Sequence, residues 1–273
     1  RLRTVLPTLC IVRESSAEHV DLTVFEGEYR SQSETYLQTG HVGFVAETTR
    51  ALWSEKHPLS AARVIPNGID NHRFDWALRT TQAKAKEHFG LSADTPLFLA
   101  VGSINRRKNQ ADLVAAFVQA DARSDRKAHL FVVGAARNEY TADLQRVIAA
   151  LDPEVAARIR LVPATPDTEL YFRAADVHCM TSLNESYPRV IVEALSFGLP
   201  QIAYRTFGVV EQVRDGVDGD LIEVGDVEGF ATAIHNFLTD SEHRERLKRN
   251  ARDAIACLED YNTMLLAYET ACR

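Results

Sequence analysis

Two glutamates with seven residues between them, Glu185 and Glu193, lie where a loop is predicted to run into a helix. Pro188 suits the first helical position, good helix formers follow it, and Gly198 supplies a stop. Because the free backbone N–H groups of a helix start favour an anion, a diphosphate would fit between one carboxylate that holds a sugar and another that holds a ribose. Glutamates at this spacing are also common on solvated helix surfaces, and the segment alone does not separate the two interpretations.

A basic turn upstream supplies the charge that a phosphate site requires. Here the sequence predicts the end of a strand, a turn with Arg106, Arg107 and Lys108, and a helix for which Asn109 is the candidate N-cap. Gly102 allows close backbone approach, and the cations lie beside the helix start, where we expect phosphates to collect. An ordinary solvated basic turn is the alternative for Arg106 and Arg107, whereas Lys108, next to the cap, is the favoured phosphate ligand.

The composition is that of a globular protein of one or two domains. The chain has 273 residues and a net charge of −7, so it lacks the basic field that nucleic acid requires. No apolar run approaches the roughly 20 residues of a membrane helix. We therefore expect neither a nucleic-acid partner nor a transmembrane segment.

The four cysteines show neither the spacing of a metal site nor a disulfide framework. We expect reduced thiols in a cytoplasmic protein, and peripheral contact with a membrane is compatible with this. We expect Cys179 to occupy a buried strand position. There is no signal peptide, and the chain begins inside a strand pattern, so we expect further residues upstream. The cysteines are Cys10, Cys179, Cys257 and Cys272.

Short apolar runs alternate with helical patterns, which predicts an α/β fold of parallel sheets with helices on both faces. Leu144, Val147, Ile148 and Leu151 repeat at helical spacing and predict one stripe that faces the core. A polar stretch over residues 71–93 is the candidate domain junction. The predicted strands cover residues 97–101, 129–133, 159–162, 177–181 and 201–204.

Before the junction, residues 42–46 predict a strand, 47–53 a helix, and 64–70 a strand that ends in a turn. Residues 11–16 also predict the end of a strand, at the sheet edge where ligands of open α/β sheets gather. Arg13 and Glu14 are therefore candidate site residues, and a surface ion pair explains them equally well.

Together these segments resemble the retaining glycosyltransferases of family four, which have the GT-B architecture of two Rossmann-like domains facing a cleft. The order and spacing of the segments are more specific than any one of them. They are residues 64–70, 102–108, 174–182, the two glutamates, 208–211, 215–219 and 224–226.

The resemblance implies three parts of the chain. Residues 1–72 would be a remnant of the N-terminal, acceptor-side Rossmann-like domain, residues 73–255 the C-terminal donor-binding domain, and residues 256–273 a terminal helix that crosses back toward the first domain. The stretch before Val64 has room for about two βα units. We therefore expect the N-terminal domain to be incomplete, through truncation or through upstream residues left out.

The resemblance also implies roles for individual residues. Glu193 would bind the ribose, Glu185 would contact the donor hexose near its reacting face, and Lys108 would neutralise the departing diphosphate. Glu185 and Lys108 are thus the predicted catalytic residues, and a charge that merely stabilises the helix start is the alternative for Glu185. The predicted donor-binding residues are Gly102, Ser103, Arg107, Lys108, Ser186, Tyr187, Pro188, Arg189, Val190 and Glu193, with the amides of Arg189 and Val190 assisting.

Two departures from the family pattern bear on these roles. Ser103 stands where the family usually has arginine, so Arg106 or Arg107 would supply that cation. The loop Ser186-Tyr187-Pro188 replaces a common Gly-Phe-Gly and removes one backbone donor, which affects donor preference more than activity.

The function implied is transfer of a hexosyl group from a nucleotide-diphosphate sugar, with no cofactor and no metal ion, by an enzyme that acts only with a complete N-terminal domain. The acceptor is open: a saccharide, a lipid-linked molecule and a small molecule are all compatible. Two other functions fit the same segments. One is a nucleotide-sugar 2-epimerase, which needs no acceptor, and the other is a non-catalytic nucleotide-sugar-binding module.

Overall fold

The computed structural model of the chain describes residues 9–12, 41–59, 61–254, 256 and 259–272. Arg13, Glu14 and Cys257 lie outside the described residues, so the predictions made for them stay predictions.

The described strands form two parallel sheets, one with the order β1-β2-β3 and a larger one with the order β6-β5-β4-β7-β8-β9. Connections between parallel neighbours must cross over the sheet, which is why helices separate nearly all the strands. The strands are β1 (Leu9–Val12), β2 (His41–Phe44), β3 (Ala61–Val64), β4 (Leu97–Val101), β5 (His129–Ala135), β6 (Ile159–Pro163), β7 (Val177–Met180), β8 (Gln201–Tyr204) and β9 (Gly219–Ile222).

Helices cover both faces of the larger sheet, which confirms the α/β prediction. A 3-10 turn, Asn71–Phe74, precedes the second helix. The described helices are α1 (Glu47–Lys56), α2 (Asp75–Leu78), α3 (Gln82–His88), α4 (Gln110–Ala122), α5 (Glu139–Ala149), α6 (Pro153–Ala156), α7 (Glu169–Ala174), α8 (Arg189–Ser196), α9 (Val209–Gln212), α10 (Val227–Thr239), α11 (Ser241–Ala254) and α12 (Tyr261–Cys272).

The larger sheet separates two hydrophobic cores, because successive strand residues point to opposite faces. In β4, Phe98 and Ala100 pack into the core under α4 and α10, whereas Leu97 and Leu99 pack into the core under α3, α7 and α8. A strand that is buried on both faces has a continuous apolar run in its sequence, and the strands were predicted from this pattern.

All five predicted strands of this sheet are confirmed, β4 and β8 with the predicted bounds. Cys179 is buried in β7, as predicted. The predicted stripe of α5 is wrong in one position: Leu144 and Ile148 are buried, but Val147 is 52% exposed. Val147 lies about 100° around the helix from Ile148, beyond the narrow face that α5 turns to the core.

The last helix, α12, contacts β1 of the smaller sheet. Its start is tied to the segment after β3, where Ile69 N–H donates to the Glu259 carbonyl at 3.0 Å and Tyr261 N–H donates to the Ile69 carbonyl at 3.2 Å. Among the described residues, no helix has both the length and the apolar character needed to cross a bilayer.

Asp176 ties two helices to the edge of the larger sheet that lies opposite the carboxyl ends of its strands. Its buried carboxylate accepts from Lys86 Nζ of α3 at 2.7 Å, from Lys248 Nζ of α11 at 2.8 Å and from the Leu97 N–H at 2.9 Å. Burial by itself raises the pKa of Asp176, but Lys248 and Lys86 more than offset burial and hold the pKa below its ordinary value of 3.8.

We expect Asp176→Asn to lower the free energy of unfolding by about 3–5 kcal/mol, because the change leaves the buried ammonium of Lys86 uncompensated. Denaturant unfolding at pH 7 measures this, with exposed Asp167→Asn as the matched control. A carboxylate whose pKa is lowered by folding stabilises the protein at neutral pH and loses that contribution as the pH falls through its folded-state pKa. The difference in free energy of unfolding between wild type and Asp176→Asn should therefore disappear below about pH 4. A difference under 1 kcal/mol at pH 7 contradicts the stabilising role of Asp176.

Candidate functional site

A cleft of about 740 Å³ lies at the carboxyl ends of the larger sheet's strands, bordered by the end of β4, the turn before α4, the loop after β7 and the start of α8. The carboxyl ends of parallel strands share one edge, so the loops that follow them meet there. Of the predicted catalytic and donor-binding residues, all except Ser103 line this cleft. Ser103 is exposed, and its carbonyl accepts from Gln110 Nε2 at 3.0 Å.

Glu185 is paired with both cations of the basic turn that line the cleft. Its Oε1 accepts from Lys108 Nζ at 2.5 Å and from Arg107 Nη1 at 2.9 Å, and Arg107 Nη1 also donates to the Asn184 carbonyl at 2.8 Å. Glu185 is buried and the Lys108 side chain is largely buried, whereas Arg107 is exposed. In this cluster two positive charges face one negative charge, which leaves capacity for a further anion.

Backbone contacts hold the basic turn against the loop that carries Glu185. The Leu183 N–H donates to the Arg107 carbonyl at 2.9 Å, and Thr181 Oγ1 donates to the Asn109 carbonyl at 2.9 Å. Asn109 occupies the N-cap position of α4 as predicted, but its side chain makes no capping hydrogen bond. It adopts a left-handed conformation with φ of 49°, which asparagine tolerates, and Asn105 Oδ1 instead accepts from the Lys108 N–H at 3.0 Å.

Glu193 lies in the second turn of α8 with its carboxylate largely buried. Its Oε1 is 3.6 Å from Arg73 Nη1. Burial raises the pKa of Glu193, Arg73 and Arg189 lower it, and Glu169 raises it again, so the pKa lies above its ordinary value.

The start of α8 differs from the prediction by one residue: Pro188 is the N-cap and Arg189 the first helical residue. Pro188 has an extended backbone with ψ of 121°, so it ends the loop and does not begin the helix. Its carbonyl accepts from the Ile191 N–H at 3.2 Å. Proline offers no side-chain cap, and helix geometry leaves the Arg189 and Val190 amides without intrahelical partners, so they are available to an anion.

The loop between Glu185 and α8 is held from two sides. Asn67 Nδ2 donates to the Tyr187 carbonyl at 2.8 Å, and Gln212 Nε2 donates to the Pro188 carbonyl at 3.1 Å. Gly208 packs so closely that a Cβ atom there would lie 1.4 Å from the Ser186 carbonyl oxygen. Any other residue at position 208 would displace this loop.

Residues 81–254, well over half of the chain, match the family model described as glycosyl transferases group 1. The chain belongs to this family. It is 33% identical over 196 residues to the D-inositol 3-phosphate glycosyltransferase of Thermobifida fusca (strain YX), which covers 70% of this chain and 44% of that protein. It is 29% identical over 163 residues to the lipopolysaccharide core biosynthesis glycosyltransferase LpsE of Rhizobium meliloti (strain 1021), which covers 60% of this chain and 45% of that protein. The chain spans less than half the length of these curated relatives.

Solved glycosyltransferase structures share the fold. HepE of Anabaena, crystallised in complex with UDP-glucose, superposes with a TM-score of 0.79 at 21% identity and covers 97% of this chain and 71% of HepE. WaaG, a glycosyltransferase of lipopolysaccharide biosynthesis, superposes with a TM-score of 0.79 at 18% identity and covers 97% of this chain and 75% of WaaG. These likenesses and the family match confirm the predicted GT-B architecture.

In this member of the group 1 family the cleft also contains side chains that the sequence did not single out, above all Arg73, Asn67 and Val45. Arg73 belongs to the polar stretch that was interpreted only as a domain junction. Val45 directly follows β2 of the smaller sheet and precedes α1. The first amides of α1, at Glu47 and Thr48, donate to the Glu211 carboxylate at 2.9 and 2.7 Å. No sequence pattern predicts these contacts, because they join segments that are distant along the chain.

Proposed function

We propose that this chain carries the donor site of a retaining glycosyltransferase that moves a hexosyl group from a nucleoside-diphosphate sugar to an acceptor without a metal ion. One observation carries the proposal: Lys108, Arg107, Glu185 and Glu193 line a single cleft at the start of an uncapped helix. Cations and free amides suit a diphosphate, and carboxylates suit the hydroxyls of sugars.

In the proposed mechanism, Glu193 accepts hydrogen bonds from the ribose hydroxyls and Glu185 contacts the hexose. The diphosphate lies between them, on Lys108 and the Arg189 and Val190 amides. As the bond from the anomeric carbon to the diphosphate oxygen breaks, negative charge grows on the leaving group, and the preorganised ammonium of Lys108 stabilises it where water is scarce. Retention would follow if the acceptor attacks from the face that the diphosphate leaves, and the anomeric configuration of the product, read by NMR, tests it.

Metal independence is part of the proposal, because Lys108 and Arg107 supply positive charge where a divalent ion would otherwise act. The sequence has an Asp-x-Asp triplet at Asp218 to Asp220, a motif that holds metal in another glycosyltransferase architecture. Neither carboxylate lines the cleft: Asp218 accepts from Arg214 Nε at 2.6 Å, and Asp220 pairs with His243 Nε2 at 2.9 Å.

The test is a thermal-shift screen over UDP-, GDP-, ADP- and TDP-sugars, with UDP-glucose first because the structurally similar HepE was crystallised with it. A ligand at a hundred times its dissociation constant adds about 2.7 kcal/mol to stability, which such a screen resolves. We expect one nucleotide series to stabilise the protein equally with and without EDTA. Stabilisation that EDTA abolishes would contradict metal independence, and conversion of the sugar to its 2-epimer without acceptor would indicate an epimerase.

We expect Glu193→Ala to weaken binding of the donor found in that screen by roughly ten-fold or more, since a hydrogen bond to a charged group is worth about 1.5–3 kcal/mol. Titration calorimetry measures the change. Glu154→Ala, an exposed glutamate of α6, is the matched control. Equal affinities for the two variants would remove Glu193 from the donor site.

A further inference from the structure

Arg73 is held beside Glu193 by contacts of its own. Its guanidinium carbon lies 5.2 Å from the centroid of the buried Phe74 ring, and its Nε lies 3.3 Å from Glu169 Oε1. The Arg73 side chain is 40% exposed and reaches the cleft, whereas the Glu169 side chain is only 9% exposed. A buried carboxylate and an aromatic face thus fix where this cation lies.

The two glutamates of the cleft meet their cations differently. Glu185 Oε1 is in contact with Lys108 Nζ at 2.5 Å and Arg107 Nη1 at 2.9 Å, which are hydrogen-bonding distances. Glu193 Oε1 lies 3.6 Å from Arg73 Nη1, outside that range. Arg73 therefore provides Coulombic attraction to Glu193 without occupying the lone pairs of its carboxylate.

Other charged groups face Glu193 from the neighbouring elements. Arg189 lies on α8 itself and Glu169 at the start of α7, while Asp70 and Tyr261 line an adjoining cavity of about 260 Å³ together with Arg73, Arg189 and Glu193. Burial raises the pKa of Glu193, and Arg73 opposes this more strongly than Arg189 does. Arg73 also pairs with Glu169, the negative neighbour of Glu193. Loss of Arg73 would therefore raise the pKa of Glu193 in two ways, by removing a nearby positive charge and by leaving the negative charge of Glu169 without its partner.

We propose that Arg73 is a positioning residue for recognition of the donor ribose: it holds Glu193 charged and oriented toward the cleft while leaving both carboxylate oxygens able to accept from hydroxyl groups. The inference rests on the proposed function, in which Glu193 binds the ribose. The donor site thereby gains a residue from the segment that connects the smaller sheet to the larger one.

The first test needs no ligand. The carboxyl carbon of Glu193 is titrated by NMR in wild type, Arg73→Met, Arg73→Lys and the control Arg79→Met, an exposed arginine of the same region that lines neither cavity. Arg73→Met should raise the pKa of Glu193 above its wild-type value, Arg73→Lys should keep it close to wild type, and Arg79→Met should not change it. An unchanged pKa in a folded Arg73→Met protein overturns the proposal, and Arg73→Gln, which also removes the charge, decides the same question if Arg73→Met does not fold.

The second test compares the affinities of UDP and 2′,3′-dideoxy-UDP for these proteins between pH 6 and pH 8. A raised pKa protonates Glu193 as the pH falls, so the loss of UDP affinity in Arg73→Met should be greater at pH 6 than at pH 8. The dideoxy compound, which offers Glu193 no hydroxyl, should show no such difference. Equal pH profiles for the two nucleotides overturn the role of Arg73 in ribose recognition. If UDP fails to bind wild type, the choice of a uridine donor fails, and the NMR titration still decides the effect of Arg73 on Glu193.

Discussion

Lys108→Ala should weaken binding of nucleoside diphosphates by roughly 10- to 100-fold while changing the affinity for the corresponding nucleoside little. The Lys108 side chain is only 15% exposed, and it lines the same cleft as the Arg189 and Val190 residues at the start of α8. A charge in such a partly dry site interacts with phosphate far more strongly than one in bulk water.

Titration calorimetry with UDP and with uridine measures this selectivity. Arg106→Ala is the matched control, because Arg106 is an exposed cation of the same turn that does not line the cleft. If Lys108→Ala lost UDP and uridine affinity to the same extent, the phosphate role of Lys108 would be refuted.

In the enzyme with a complete N-terminal domain, Glu185→Gln should lower turnover by about 10²- to 10³-fold, the usual cost of removing one group that stabilises a transition state. The same change should strengthen, not weaken, the binding of a nucleoside diphosphate that carries no sugar. The change removes the internal counter-ion of Lys108 and Arg107, so UDP should bind more tightly to Glu185→Gln than to wild type. A glutamate that only stabilised the helix start would give neither result.

Turnover is measured as the rate of UDP release from UDP-glucose, and binding is measured as the dissociation constant of UDP. Glu139→Gln, an exposed glutamate at the start of α5, serves as control. Thermal unfolding with and without UDP shows whether the unpaired Lys108 destabilises the variant and whether the diphosphate restores it. Weaker UDP binding together with near-normal turnover would contradict the role proposed for Glu185.

The larger sheet could be predicted from the sequence because its strands are buried on both faces. A run such as residues 97–101 is apolar throughout, and each such run is followed by a turn and, in most cases, a helix. The parallel order then places the turn with Lys108 and the loop with Glu185 at one edge, so their meeting in a cleft follows from topology. The family resemblance, carried by the order of several segments, supplied the roles that topology cannot.

Details that depend on tertiary packing could not be predicted. Helical spacing placed Val147 in the core stripe, but the width of the face that α5 buries is decided by its neighbours. Asn109 lies at the predicted cap position, but its side chain makes no capping hydrogen bond. Arg73 carries no motif of its own, and its importance appears only when Phe74 and Glu169 place it beside Glu193.

The most direct test of the donor site is a crystal structure of the protein with the nucleotide sugar that binds most tightly. We predict the diphosphate within hydrogen-bonding distance of Lys108 Nζ and the Arg189 and Val190 amides, the ribose hydroxyls on the Glu193 carboxylate, and the hexose beside Glu185. A sugar nucleotide bound elsewhere, with Lys108 still paired only to Glu185 and the Glu193 carboxylate facing solvent, would contradict the account.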